Sequence, residues 1–485
     1  MTDTPPRTRE IDMADRMSEH EALMWNIEKD PWLNPSGGAM FVFDQPIDVD
    51  KLRARMRMAV TELPRFTQRV QPGLGRLSTP AWVPDPEFSF DSHFRVVTLP
   101  SPGTERQLLD LAAQLYTEPF DRTRPLWRMV VIEGLETGQG ALWSLMHHAI
   151  SDGIGQLRIA EMFQDLERDV PRSPDVDLEG LVAQNFAEFD KKEAGGDLGS
   201  SLAATTAASL GHVARRFAGT ARRAAGEVAI WPADPSRVGE KVNELTSMVT
   251  ETAGQLTHTV EDGEGAPLWR NRSRHRHLES VTVPLDALKA ASKAAGTTVN
   301  VAFVSAMSEA AVRYHADRDE SFDTLNVSFV LSTRTDDKAG GNAFTPVLVH
   351  LPGEELDPTV RMAATAETLD DAREAAGRSG GYTALSGVVN LLPTSVVTRT
   401  ARSQAAKVDL ATSNLRGAPF PLYIGGAKVD HSVSFGPLAG TPCNATALSY
   451  CNNFDIGLFI DPVAIEDPAA FRQCVVDAFE ALLAT

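Results

Sequence analysis

The chain is poor in cysteine, lacks long apolar runs and is short of positive charge, and each shortage excludes something. Its 3 cysteines, Cys443, Cys451 and Cys474, all fall near the C-terminus without a C-x-x-C pair. Neither a disulfide scaffold nor a structural zinc site is indicated, and no metal is expected. No apolar stretch reaches the roughly 18 residues of a membrane-spanning helix. The opening "MTDTPPRTREIDMADRM" has no apolar segment of the signal-peptide kind. A soluble cytoplasmic protein is the expectation, with peripheral contact to a membrane left open. Lys and Arg number 46 against 65 Asp and Glu, a net charge of −19. That balance argues against nucleic acid as a partner, because counterion displacement needs an electropositive face. A phosphate-cradling P-loop and a complete G-x-G-x-x-G fingerprint are also missing.

What is present is enough apolar material, 42% of 485 residues, for more than one core, so two domains are the default. Residues 1–190 read as mixed α/β. "ALMWNIEKD" is a short helix, "GGAMFVFD" a strand, and "VDKLRARMRMAVTEL" a helix with apolar residues at three- and four-residue spacing. "LWRMVVIEGL" and "ALWSLMHHAI" read as two strands joined by "ETGQG". A helix is expected over Gly153–Glu167. Residues 191–265 shift to Ala, Thr and charge and read as a helical connector. Within it, Leu210, Val213, Phe217, Ala221, Ala224, Val228 and Trp231 share a helical face, with Arg215, Arg216, Arg222 and Arg223 largely off it. That stripe suits an interfacial membrane helix, but it equally suits a connecting helix with a solvated polar face, the commoner case for soluble proteins. Mixed α/β character resumes over 266–485. The fold class is therefore α/β, two similar halves around a connector.

One stretch carries chemistry. "LMHHAISDGIGQL", Leu145–Leu157, ends an apolar strand in His147 and His148 and turns at Ser151, Asp152 and Gly153. Successive strand side chains face opposite ways, so one histidine projects into a cleft and the other into packing. A neutral histidine at a cleft can take a proton from a hydroxyl or thiol. The same residues also suit a bland role. Asp152 or Ser151 is a good helix N-cap, and paired histidines can simply be packed. A metal site of His147, His148 and Asp152 is disfavoured because the two rings diverge. Composition alone leaves base and cap both open.

The stretch "HHAISDG" resembles the H-H-x-x-x-D-G signature of the coenzyme A-dependent acyltransferase superfamily. The remaining chain resembles the bacterial wax ester synthase/diacylglycerol acyltransferase family. "RPLW" at Arg124–Trp127 is similar to its P-L-W segment, bearing Pro125, Leu126 and Trp127. "TTVNVAF" resembles T-V-N-D, and "LSTR" with "GNAFTPVLVHLP" resembles the S-x-R…G-N…L-P block. "TSNLRGA" resembles S-N-V-P-G-P, and "LSY" at Leu448–Tyr450 falls where a late S-Y belongs. The chain departs from the pattern at Val301, Arg416 and Ala418, and the early P-M-H segment has no histidine.

The resemblance implies two chloramphenicol-acetyltransferase-like subdomains with mixed sheets, joined by a helical crossover, with the site in a tunnel between them. It implies an O-acyltransferase that uses acyl-CoA as substrate, with no cofactor, and an apolar alcohol such as diacylglycerol or a fatty alcohol as acceptor. His148 would be the general base and His147 its support. Asp152 would be mainly architectural, paired with an arginine for which Arg65 is the candidate, and Gly153 would permit the turn. Asn300, Ser332, Arg334, Asn342, Ser413 and Asn414 would line the second half of the site. Peripheral membrane or lipid-droplet attachment would follow from the apolar substrates. A different donor or acceptor, or a lipid- or CoA-binding protein with little turnover, fits the same resemblance.

Overall fold

The computed structural model describes residues 16–73, 78–194, 265–332, 344–379, 390 and 393–485. Arg334, Asn342, the stripe from Leu210 to Trp231 and nearly all of the 191–265 connector lie outside the described residues.

The first half opens with helix α1, Glu19–Ile27, at a place the sequence marks. In "SEHE", Ser18 Oγ accepts from the Glu21 N–H at 3.2 Å while Glu21 accepts from the Ser18 N–H at 2.7 Å. This reciprocal capping box satisfies two amides that an N-terminus otherwise leaves bare. Strand β1, Ser36–Phe43, follows, then α2, Val49–Thr61, a short ribbon of β2, Gln68–Gln71, and β3, Ala81–Pro84, and β4, Phe94–Thr98. Next come α3, Glu105–Thr117, the antiparallel pair β5, Trp127–Glu133, and β6, Ala141–His147, then α4, Gly153–Glu161, and α5, Leu178–Ala194.

The second half starts with β7, His277–Pro284, α6, Leu285–Ala294, and α7, Val299–Ala316. Thr298 caps α7 by accepting from the Val301 N–H at 3.3 Å. Then come β8, Thr324–Ser332, β9, Phe344–Pro352, α8, Pro358–Ser379, and α9, Thr394–Ala405. The chain closes with β10, Leu410–Arg416, β11, Tyr423–Ile424, β12, Ala427–Phe435, β13, Cys443–Tyr450, β14, Asn453–Ile460, and α10, Pro468–Leu483.

Two mixed six-stranded sheets organise these elements, in the orders β11-β12-β1-β6-β5-β4 and β7-β14-β13-β10-β8-β9. The second half thus lends β11 and β12 to the first sheet, where β12 pairs antiparallel with β1. Asp455 on β14 joins the two sheets. It is fully buried, and its carboxylate accepts from Thr282 Oγ1 at 2.7 Å and the Ser432 N–H at 3.0 Å, and meets His431 Nδ1 at 3.0 Å. The His431 imidazole is raised above its ordinary value, chiefly by that bond. A carboxylate buried without such partners would be prohibitively costly.

The helix expected over Gly153–Glu167 stops at Glu161. Beyond it, Asp165 and Tyr423 exchange backbone hydrogen bonds at 2.8 and 2.9 Å. Docking onto β11 supplies backbone partners that further helix would have had to forgo. Among the described residues, no helix is long and apolar enough to cross a membrane.

Candidate active site

Strand β6 lies between β1 and β5, and its residues are almost all buried, so the chain at His147 leaves the middle of the sheet. Ser36 on β1 is the register partner of His147. The His147 backbone N–H donates to Leu126 O at 3.1 Å, and the Ile150 N–H donates back to His147 O at 2.9 Å, closing the turn.

The two histidines part company here. His147 is fully buried. Its Nδ1 accepts from the Ala149 N–H at 2.9 Å, which leaves the proton on Nε2, 3.4 Å from Glu28 Oε2. Trp25 sets its indole edge-on to the ring, with centroids 6.2 Å apart. Arg122 closes the group. Its guanidinium pairs with Glu28, donates to Trp25 O at 2.8 Å and lies 3.3 Å from the Trp25 ring centroid. Burial alone would raise the Glu28 carboxyl, but His147 and Arg122 together hold it below its ordinary value. His147 is thus held between the Ala149 N–H of the turn and the end of α1.

His148 sits beyond the strand end. Its residue keeps partial exposure while Nδ1 is shut off from solvent. Its Nε2 faces Gly37 on β1, where a Cβ would come within 3.5 Å of it. Glycine at this position keeps a side chain off the β1 side of that nitrogen. Burial pushes the imidazole down to about 4, helped by His147 and His20 and opposed by Asp152. His20 on α1 is buried and likewise pushed down to about 4, against the pull of Asp152. Both rings are neutral at physiological pH.

Asp152 caps α4. It is buried, and its Oδ1 accepts from the Gly155 N–H at 2.9 Å. A Cβ on Gly153 would meet Leu415 Cδ2 at 3.2 Å. Glycine therefore lets the start of α4 close onto β10 of the other half.

The "RPLW" residues support the turn. Pro125, Leu126 and Trp127 are buried, and Trp127 Nε1 donates to Phe66 O at 2.8 Å. That bond ties β5 to the Pro64–Phe66 turn, which carries Arg65. Arg65 is buried, with its guanidinium 4.4 Å from the Trp82 ring centroid and its charge reaching Glu21 on α1.

In the second half, Asn300, Ser413 and Asn414 come together. They line a cavity of about 220 Å³ with Phe329, Val330, Thr412 and Arg373. Ser413 and Asn414 immediately precede Leu415, so one strand supplies both that cavity and the contact with Gly153. Ser332 ends β8, its backbone paired with Phe344. The tyrosine of "LSY", Tyr450, is structural: its hydroxyl donates to Val429 O at 3.1 Å and accepts from the Leu422 N–H at 2.8 Å.

The sequence reading saw a short helix in "ALMWNIEKD" but gave its residues no part in the site. His20, Glu21, Trp25 and Glu28 lie outside every motif quoted, yet they surround the histidine turn or Arg65. The one available signal was the S-x-x-E pattern at Ser18–Glu21, which fixes where the helix starts but not what it faces.

The two family models that match are the wax ester synthase/diacylglycerol acyltransferase catalytic domain, over residues 17–303, and the C-terminal domain of the same family, over residues 340–483. The chain belongs to this family. It is an O-acyltransferase with the α/β, two-subdomain architecture expected of one. A Mycobacterium tuberculosis protein named as a diacylglycerol O-acyltransferase is 27% identical over 97% of this chain and 92% of its own length. A second M. tuberculosis protein of that name is 29% identical, over 84% of this chain and 82% of its own. Among solved structures, the wax ester synthase/diacylglycerol acyltransferase from Marinobacter aquaeolei superposes with a TM-score of 0.64 at 20% identity, covering 96% of this chain and 98% of that one. The first condensation domain of the calcium-dependent antibiotic synthetase gives 0.55 at 14% identity, over 97% of each chain. At such identities the superpositions speak for the fold.

Proposed function

We propose that this acyltransferase moves a long-chain acyl group from acyl-CoA to the hydroxyl of an apolar alcohol, diacylglycerol or a fatty alcohol, with His148 as general base. The observation that carries the reading is the neutral His148 ring just past the end of a central strand, with Nε2 next to Gly37, which bears no side chain. A base must be unprotonated before it acts and must have room for the group it deprotonates.

In the proposed step the acceptor hydroxyl donates its proton to His148 Nε2 as its oxygen bonds to the thioester carbonyl carbon. The tetrahedral intermediate then breaks its C–S bond, and the leaving CoA sulfur takes the proton back from the imidazolium. Both reacting partners arrive as substrates, so the step calls for no cofactor and no covalent enzyme intermediate. The protein's part is to bring them together, exclude water and hold the base. His147, locked on Glu28, fixes the turn from behind, and Asp152 fixes it from the helix side. Arg65, set by Trp127 and Phe66, braces α1 and the turn, and we assign it a pairing role with Asp152. The cavity of Asn300, Ser413 and Asn414 would contact the polar end of the acceptor. Apolar substrates that partition into lipid would bring the protein to a membrane or lipid-droplet surface peripherally.

The test incubates purified protein with palmitoyl-CoA and either dioleoylglycerol or hexadecanol, following free thiol release and identifying the product by mass spectrometry. Ester formation matched by equimolar CoA release supports the reading. Thiol release without ester, or no release with either alcohol, contradicts it.

A further inference from the structure

Helix α3 of the first half packs along the second. At its start, Arg106 pairs with the Glu279 carboxylate on β7 at 2.7 Å, and Ser280 Oγ donates to Glu105 Oε1 at 2.9 Å. Near its end, Tyr116 is buried in a core that also takes in Leu278 and Phe459 from the second half. The Tyr116 and Phe459 rings meet edge-on, with centroids 4.5 Å apart and planes at 89°. An edge-to-face contact of this kind fixes a ring's direction as well as burying it.

The Tyr116 hydroxyl reaches back into the first sheet. It donates to Ser36 O at 2.9 Å, in a buried bond. Burial pushes the phenol up, so it keeps its proton and goes on donating at any working pH. Ser36 is the first residue of β1 and the register partner of His147. The register with β12 begins only at Gly38, so this end of β1 runs past its neighbour. Side chains hold it instead: Asn34 Oδ1 accepts from the Ser36 N–H at 2.9 Å, and Tyr116 binds the carbonyl. The next residue is Gly37, whose Cβ position stands 3.5 Å from His148 Nε2.

We infer that Tyr116 is a positioning residue for acyl transfer: its hydroxyl sets the start of β1 against His148, and its seat on Phe459 makes that setting depend on the second half. The role rests on the reading of His148 as general base. Proton transfer is steep in distance, and a misplacement of about 1 Å at a reacting group costs up to about 100-fold in rate.

The experiment measures kcat, KM and Tm for Tyr116→Phe with palmitoyl-CoA and the preferred alcohol, alongside Tyr450→Phe and His148→Ala. Tyr116→Phe keeps the ring and its seat and removes only the donor. Its kcat should fall about ten-fold or more, with KM for both substrates within about two-fold of wild type. Its Tm should drop by no more than a few degrees. Tyr450→Phe is the control, because that hydroxyl also serves backbone groups, but at the opposite end of β1, where Val429 faces Phe43. It should lower Tm without lowering kcat. Phe459→Leu disturbs the seat and should lower kcat in the wild-type chain, but by less than about two-fold in the Tyr116→Phe background. Four results would each overturn the inference: wild-type kcat in Tyr116→Phe while His148→Ala is inactive, a rise in KM in place of the fall in kcat, an equal kcat loss in Tyr450→Phe, or additive losses with Phe459→Leu. Wild-type kcat in His148→Ala would overturn the base reading first, and the role of Tyr116 with it.

Discussion

His147 Nε2 lies 3.4 Å from Glu28 Oε2 while its Nδ1 accepts from the Ala149 N–H, so one of the paired histidines is fixed in tautomer and orientation by the end of α1. The consequence is a division of labour. His147→Ala removes a fully buried ring and leaves Glu28 with Arg122 alone. It should cost about 3 kcal/mol of stability, seen as a lowered Tm. Glu28→Gln keeps the shape and should cost less, and a Tm for His147→Ala equal to wild type would refute the packing role.

The pH dependence of stability follows from four histidines. Burial pushes His20, His93, His148 and His315 each to about 4, below their ordinary 6.5. Above pH 6.5 these groups are neutral in both folded and unfolded chains. As pH falls from 6.5 toward 4 the unfolded chain takes up protons that the folded one refuses, and stability is lost. Asp409 works in the opposite sense, since burial raises it to about 6 and its contribution fades as pH rises through that value. Glu21 and His431 are raised as well and act in the same sense as Asp409, but the four large histidine shifts should prevail and leave Tm lower at pH 5 than at pH 7.5 in thermal melts. An equal or higher Tm at pH 5 would contradict the assignment.

Much of this arrangement was legible from the residues, and the reasons for the rest are physical. The strand before the histidines is apolar because β6 is central in its sheet, and Asp152 does cap α4, as its place before "GIGQL" suggested. Short-range patterns of this kind read out local structure. The loan of β12 to the first sheet left no local trace, because which sheet a strand joins depends on partners nearly 400 residues away, as in Val42 opposite His431. His20 and Glu28 escaped notice for the same reason: polar residues on a short helix look like a solvated face until packing buries them. The extra helical turns expected beyond Glu161 were lost to the Asp165–Tyr423 bridge, again a long-range partner.

The seam between the halves rests on a close approach at Gly153. A Cβ there would stand 3.2 Å from Leu415 Cδ2, tighter than comfortable contact. Gly153→Ala should lower both Tm and turnover. Leu415→Ala in the same chain should restore part of the loss by making room, giving a coupling energy of about 1 kcal/mol in a double-mutant cycle. Additive effects of the two changes would show that the contact does not govern the seam.

The missing side chain at Gly37 bears on access to the base. A methyl at that position would lie 3.5 Å from His148 Nε2, an ordinary contact that the fold can accept. Gly37→Ala should therefore leave Tm nearly unchanged while lowering kcat/KM, since the methyl occupies space the acceptor hydroxyl needs. Unchanged kcat/KM would mean that substrate reaches the ring from another side.

The most direct test of the account is the turnover of His148→Ala, measured as CoA release with palmitoyl-CoA and the preferred alcohol alongside a thermal melt. The residue is not fully buried and lies outside the Glu28 group, so the fold should persist. We expect kcat to fall by about 10²–10⁴-fold, the usual worth of a general base, with Tm close to wild type. Wild-type turnover in a folded His148→Ala protein would contradict the central claim.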